Sequence, residues 1–375
     1  MLVSLATDRA RVADLDAEIL VLERSLSALR SQRARVQERL EAYKYPVLTL
    51  PNEIIAEIFT HYWTPIHPLF PRFTGLYSPT LLTQICHKWR GIALETPRLW
   101  RAISLPDANI PLEKQSGLTD AWLSRSRGCP ISLQFDPALV EGELGTEIPT
   151  AIVPYRARLE QLVINRASLP QLRTFDGPMP ILRHLELLLY DLNLLATKIS
   201  FCEAPLLRTV LLNADAVQNT IMPWAQLTSL ALHGLFPREC APILQQTSNL
   251  VHCELALVED LRDEDIPDVT LLTLESLTLT HIVEDHSVTG YLQTLTVPVL
   301  HSLRVPESFL GPNSIDTLKS FVSKSGCNLQ ELCITGTSSG FDSPYHAAFP
   351  SMKVSFADYA MSSAQWLMSK FRRRR

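Results

Sequence analysis

"LESLTLT", residues 274 to 280, sets apolar side chains at Leu274, Leu277 and Leu279, with polar residues between the last two and after them. Leu277 and Leu279 stand two apart, the period at which a strand returns a side chain to the same face. The same spacing occurs at Leu159-Leu162-Ile164, Leu182-Leu185-Leu187, Leu207-Val210-Leu212, Leu227-Leu230-Leu232 and Leu250-Cys253-Leu255. It resumes at Leu300-Leu303-Val305 and Leu329-Leu332-Ile334. Successive copies begin 23, 25, 20, 23, 24, 26 and 29 residues apart. Self-similarity at such a period predicts one short strand per unit, each stacked in parallel on the last, with the linking segment returning along the outside.

The pattern resembles the leucine-rich repeat. The asparagine of that family, three positions after the last apolar residue, is absent in every copy, where Ala167, Tyr190, Asp215, Leu235, Val258, Ile282, Ser308 and Thr337 stand instead. That asparagine normally bonds neighbouring turns through their backbones. Its loss predicts an irregular, leucine-rich-repeat-like α/β solenoid whose outer segments vary from helix to loop. Alternation sends the apolar triplets inward and the intervening residues to a concave face. The face so defined runs from Gln161 and Asn165 through Asn213 and Thr280 to Ser302, Glu331 and Thr335. His184, Glu186, Thr209, Ser229, His233, His252, Glu254, Ser276, Thr278 and Arg304 are its candidate client-binding residues. A mixed polar face without one dominant charge suits recognition of a protein by shape. The bland alternative is a row of solvated strand residues with no ligand.

Ahead of the repeats the apolar period changes from strand to helix. In "TLPNEIIAEIFTHYW", residues 49 to 63, Pro51 suits a first helical position and Glu53 suits the N-terminal dipole. Ile54, Ile55, Ile58, Phe59 and Tyr62 then fall in one stripe. Ser78-Pro79 gives a second cap and start, followed by Leu81, Leu82, Ile85, Cys86, Trp89, Ile92 and Ala93 at helical spacing. Thr96-Pro97 opens a short turn carrying Leu99 and Trp100, and the proline-bearing stretch 64 to 77 reads as a loop. Three helices this short leave much apolar area to be covered by another surface.

"LTLPNEIIAEIF" followed by "LLTQICHKWRGIALETPRLW" closely resembles the F-box, the helical module that docks on the Skp-type adaptor of cullin-based (SCF) ubiquitin ligases. The loop between the first two helices is longer than usual, as in many fungal F-box-like proteins, whose layout of leading coiled coil, F-box and leucine-rich remainder the chain also resembles. By that resemblance Leu50, Pro51, Ile54, Ile58 and Phe59, with Leu82, Ile85 and Trp89, are divided between adaptor contact and the module's own core. The alternative is a helical segment sealed entirely by its own chain. The expected organisation is a helix over 1–45, the F-box-like module over 46–100, the repeats over 101–350 and a tail over 351–375.

In the first segment Leu15, Ile19, Leu22, Leu26 and Leu29 alternate steps of four and three, and the register continues through Arg33, Val36, Leu40 and Tyr43. No Gly or Pro interrupts it before Pro46, so a helix of about 35 residues is expected, docked on its own chain or paired as a parallel dimer.

Composition narrows the functional classes. With a net charge of −5 and a pI near 6.1, nothing favours nucleic acid as a partner, since that binding rests on a basic surface. No apolar run is long enough to span a membrane, the N-terminus meets Asp8 and Arg9 too early for a signal peptide, and no N-x-S/T site occurs, so a cytoplasmic or nuclear protein is expected. The seven cysteines are scattered, with no C-x-x-C pair, and read as reduced, mostly buried hydrophobes.

Catalysis and cofactors find little support. Gly336-Thr337-Ser338-Ser339-Gly340 matches a hydrolase G-x-S-x-G, but Pro344 and Pro350 argue against the helix such an elbow needs. His281 and His286 flank Glu284 and Asp285 at a spacing that does not suit zinc on a helix. There is no phosphate-cradling glycine loop. The terminal "KFRRRR" is the one strongly basic run, read as a solvated tail in preference to an import signal. The expected role is to present a client while another chain catalyses.

Overall fold

A computed structural model describes residues 2–42, 46–63, 70–139, 145–189, 198–259, 266–281, 288–336 and 342–357. The chain divides into two compact units, Met1–Ile58 and Phe59–Arg375.

The first unit holds α1 (Leu2–Ala42), a short turn at Pro46–Thr49 and the start of α2 (Asn52–Trp63). α1 is one uninterrupted helix of 41 residues, longer than expected because Ser4 to Asp14 also lack a breaker. All its described side chains are exposed, the seam leucines included.

The second unit is built on an open sheet of eleven strands among the described residues. They are β1 (Ala102–Leu105), β2 (Ile131–Phe135), β3 (Leu159–Asn165), β4 (His184–Leu188), β5 (Thr209–Asn213) and β6 (Ser229–Leu235). β7 (His252–Leu257), β8 (Ser276–His281), β9 (Ser302–Pro306), β10 (Glu331–Thr335) and β11 (Lys353–Ala357) complete it. All pair in parallel, and their order across the sheet is their order along the chain. Eight strands carry the last two residues of the apolar triplets, and only β3 also contains the first. β1, β2 and β11 extend the ladder at both ends, so residues 353–357 belong to the sheet, whereas "KFRRRR" lies outside the described residues.

Register explains the stability of the stack. Leu162, Leu185, Val210, Leu230, Cys253, Leu277, Leu303 and Leu332 form one continuous buried column. Ile164, Leu187, Leu212, Leu232 and Leu255 begin a second, two residues further along each strand. Each such side chain contributes about 1.5–3 kcal/mol relative to exposure. The connections vary as expected, from the helix Ser314–Ser325 to 3-10 turns such as Tyr291–Thr294. Short parallel pairs, Ile199–Ser200 with Thr220–Ile221 and Val269–Thr270 with Leu295–Thr296, join some of them.

At the front of this unit the helical residues and the sheet share one core. Trp100 and Trp122 meet edge to face at 4.8 Å, Phe73 reaches Trp122 at 5.6 Å, and the backbone N–H of Ser104 in β1 donates to Pro71 O at 2.7 Å. Trp122 comes from α3 (Leu112–Arg125). Packing therefore runs without a break across residue 100.

Candidate functional site

α2 begins one residue later than its proline suggests. Pro51 sits just before the helix and its carbonyl accepts from Ile55 N at 3.2 Å. The helix then sorts the stripe into two faces. Ile55 and Phe59, four apart, are 1% and 3% exposed, while Ile54 and Ile58 are 49% and 48% exposed. Pro51 is exposed and Leu50 half-buried; the Tyr62 side chain lies outside the described residues.

The second helical stretch also differs from the expected single helix. Ser78 caps as expected, its hydroxyl accepting from Thr80 N and donating to Phe73 O. A 3-10 turn (Pro79–Leu81) leads into one helical turn (Leu82–Ile85), and the chain then opens at Cys86. There the backbone is extended and the thiol accepts from Trp89 N at 3.4 Å, capping a new helix at His87–Glu95. Within the turn before the break Leu82 faces inward, 8% exposed, and Ile85 outward, 54% exposed. Trp89 is half-buried. Leu76, Tyr77 and Leu81 are further exposed apolar side chains in this unit, which the sequence pattern did not single out for docking.

The loop ahead of that helix is held by a buried carboxylate. Asp107 accepts from Thr74 N at 3.0 Å and Thr74 Oγ1 at 2.9 Å, and Gln115 brackets the Asp107 backbone with bonds of 2.9 and 2.8 Å. The expected loop is therefore anchored over residues 70–78, beside the exposed Leu76 and Tyr77.

On the polar face of the sheet the register aligns the nominated residues in rows. Gln161, His184, Thr209, Ser229, His252, Ser276, Ser302 and Glu331 form one, and Glu186, Leu211, Ala231, Glu254, Thr278 and Arg304 fall in the next. His184, Glu186, His233, His252 and Arg304 are half-buried and reach the surface. Thr209, Ser229, Glu254, Ser276 and Thr278 are buried. Strands lie about 4.8 Å apart, so a short hydroxyl between longer neighbours is overtopped by them.

Charge gathers at the middle of this face. His233 Nε2 lies 3.6 Å from Glu254 Oε1, and Glu254 is 3% exposed, with no hydrogen-bond partner for its Oε2 among the described residues. Burial pushes the Glu186 carboxyl up, while His233 pulls it down. The arrangement offers a carboxyl and an imidazole to polar or cationic groups. No family model and no curated protein matches the chain.

Stitching between successive units is carried by residues that the repeat pattern does not mark. Arg158, Gln226, Asn249 and Thr273 each stand immediately before the first apolar residue of a triplet. Each donates to a carbonyl of the preceding unit: Arg158 to Cys129 O, Gln226 to Ala204 O, Asn249 to Ala225 O and Thr273 to Leu250 O, at 2.7–2.8 Å. The last three also rim a shallow depression of about 400 Å³ with Arg208, Thr228 and Val251. At the other strand end Asn213 accepts from Leu189 N at 3.1 Å, donates to Leu189 O and caps the next helix through Ala216 N. Polar residues standing before five of the eight leading leucines, against Ile181, Leu206 and Val299 before the other three, were the available signal.

The catalytic and metal motifs gain no geometry. A helix, Asp342–Ala348, does follow Gly336, contrary to expectation, because Pro344 falls in its first turn, where proline costs no hydrogen bond. Residues 337–341, with Ser338, lie outside the described residues, as do His286, Glu284 and Asp285. Among the described residues no cluster of His, Cys, Asp or Glu could hold a metal, and no helix is long and apolar enough to cross a membrane. The cysteines are all free: Cys240, Cys253 and Cys327 are buried, Cys202 is exposed and the remainder half-buried.

Proposed function

We propose that this chain is the substrate-recognition subunit of a cullin-type ubiquitin ligase, an F-box-like protein and not itself an enzyme. Its docking residues hold a Skp-type adaptor, and through it a cullin. Its sheet forms the inner wall of a leucine-rich-repeat-like solenoid that holds a client protein. The gain is proximity of client to conjugating enzyme. The observation carrying the reading is the sorting of the helical stripe: Ile54 and Ile58 on α2, and Ile85 after Leu82, are large apolar side chains left in water. Exposed apolar groups at the positions the F-box uses are what a docking module requires.

In this reading Ile54, Ile58 and Ile85, with Leu50 and Pro51, meet the adaptor, while Phe59, Leu82 and Trp89 support them from within. The half-buried His184, Glu186, His233, His252 and Arg304 meet the client. A second reading, a scaffold that never meets a ligase, draws on the burial of Ile55, Phe59 and Leu82. Co-purification separates the two. The full chain retains a Skp-type adaptor, and the variant with Leu50, Pro51 and Ile58 changed to alanine loses it. Equal recovery by both, or no adaptor with either, selects the scaffold.

A further inference from the structure

α1 leaves an apolar seam bare along its whole described length, with Ile19, Leu22, Leu26, Leu29, Val36 and Leu40 all exposed. The alternating steps place Val12, Ile19, Leu26, Arg33 and Leu40 at heptad position a, and Leu15, Leu22, Leu29 and Val36 at d. A seam of this kind is covered by another helix.

We propose that the covering helix is α1 of a second copy of the chain, running antiparallel, so that Leu15 faces Leu40, Ile19 faces Val36, Leu22 faces Arg33 and Leu26 faces Leu29. The inference does not rest on the ligase reading. Charge complementarity along the seam decides the direction. In an antiparallel pair g meets g and e meets e. Here Glu18 then meets Arg39 and Glu23 meets Arg30, each contact formed twice by the two-fold axis, and no like charges meet at those positions. A parallel pair sets Glu18 against Glu23 and buries Arg33 against its own copy, costs that the single Arg11–Asp16 attraction does not offset. Sliding the antiparallel pair by one heptad places Glu23 opposite Glu23 in one direction and Arg30 opposite Arg30 in the other. One register is left. In it Arg33 packs its stem on Leu22 and reaches the carboxylate of Glu23 of the second copy.

Sedimentation equilibrium of the full chain tests this. The expected species has twice the 42.1 kDa chain mass. Glu23→Arg and Arg30→Glu each raise the dimer dissociation constant about tenfold at low salt, and the double swap restores it. Glu23→Arg tightens a parallel dimer instead, because it sets arginine against Glu18. Both sites are exposed on a helix, and unchanged far-UV circular dichroism confirms that each variant remains folded. A monomeric chain, a tighter Glu23→Arg dimer or an unaffected one each overturns the proposal.

Discussion

Phe59 and Trp89 meet edge to face, with ring centroids 5.0 Å apart and planes inclined at 65°. The contact joins the end of the first helical stripe to the second, and it separates two kinds of apolar residue that the sequence presents as one. Those on the Phe59 side of α2 serve folding, and those on the Ile54 and Ile58 side are free to serve a partner.

Phe59→Ala therefore destabilises the protein by about 3–5 kcal/mol, the usual cost of emptying a buried aromatic site. Ile54→Ala and Ile58→Ala change stability by no more than about 0.5 kcal/mol, as exposed substitutions do, yet lose adaptor binding under the proposed reading. Urea denaturation alongside adaptor pull-down reads both. Parallel losses of stability in all three variants contradict the division.

Asn213→Ala removes bonds to Leu189 and the cap on Ala216 together, and costs about 1–3 kcal/mol. The local effect is faster amide exchange at Leu189 and Ala216, with exchange in β9 and β10 unchanged. Hydrogen exchange followed by mass spectrometry measures it.

Glu186 makes stability pH-dependent. Burial raises its carboxyl above the ordinary 4.5, so the folded chain binds the extra proton more readily than the unfolded one. Stability is full below the unfolded value and falls as pH rises through the raised folded value. Glu186→Gln removes that fall, leaving the variant more stable than the parent at pH 7 and equal to it at pH 4. Denaturation midpoints at the two pH values check the sign; a less stable variant at pH 7 shows that His233 holds the carboxylate charged.

Thiol chemistry should discriminate sharply among the cysteines. Burial, with Glu239 adding to it, pushes the Cys240 thiol up to about 12, and burial raises Cys253 as well. At pH 8 the folded chain alkylates at Cys202 first, while Cys240 and Cys253 react only after unfolding. Mass mapping of modified peptides over time provides the measurement.

The ladder was legible because its signal is periodic and local. Triplets such as Leu274-Leu277-Leu279 repeat at one strand's rise and one unit's length, and each fixes its own inward face. The cap at Ser78 and the helices α1 and α2 follow from chemistry within a few residues. β1 and β11 lacked that signal: Ala102–Leu105 and Lys353–Ala357 are strands because an edge with unpaired backbone groups lay beside them. The break at Cys86 was hidden because a thiol is rarely a cap and the apolar period runs through it.

By itself the sequence determined the long first helix, the succession of helical and strand periods, and the parallel stacking of units, all set by which neighbours along the chain share a face. Tertiary structure alone decided which isoleucines of a single stripe are covered, which polar side chains of the sheet sink between their neighbours, and which amides stitch one unit to the next. Burial depends on what the remainder of the chain brings alongside, and the spacing of residues on one helix or strand carries no record of it.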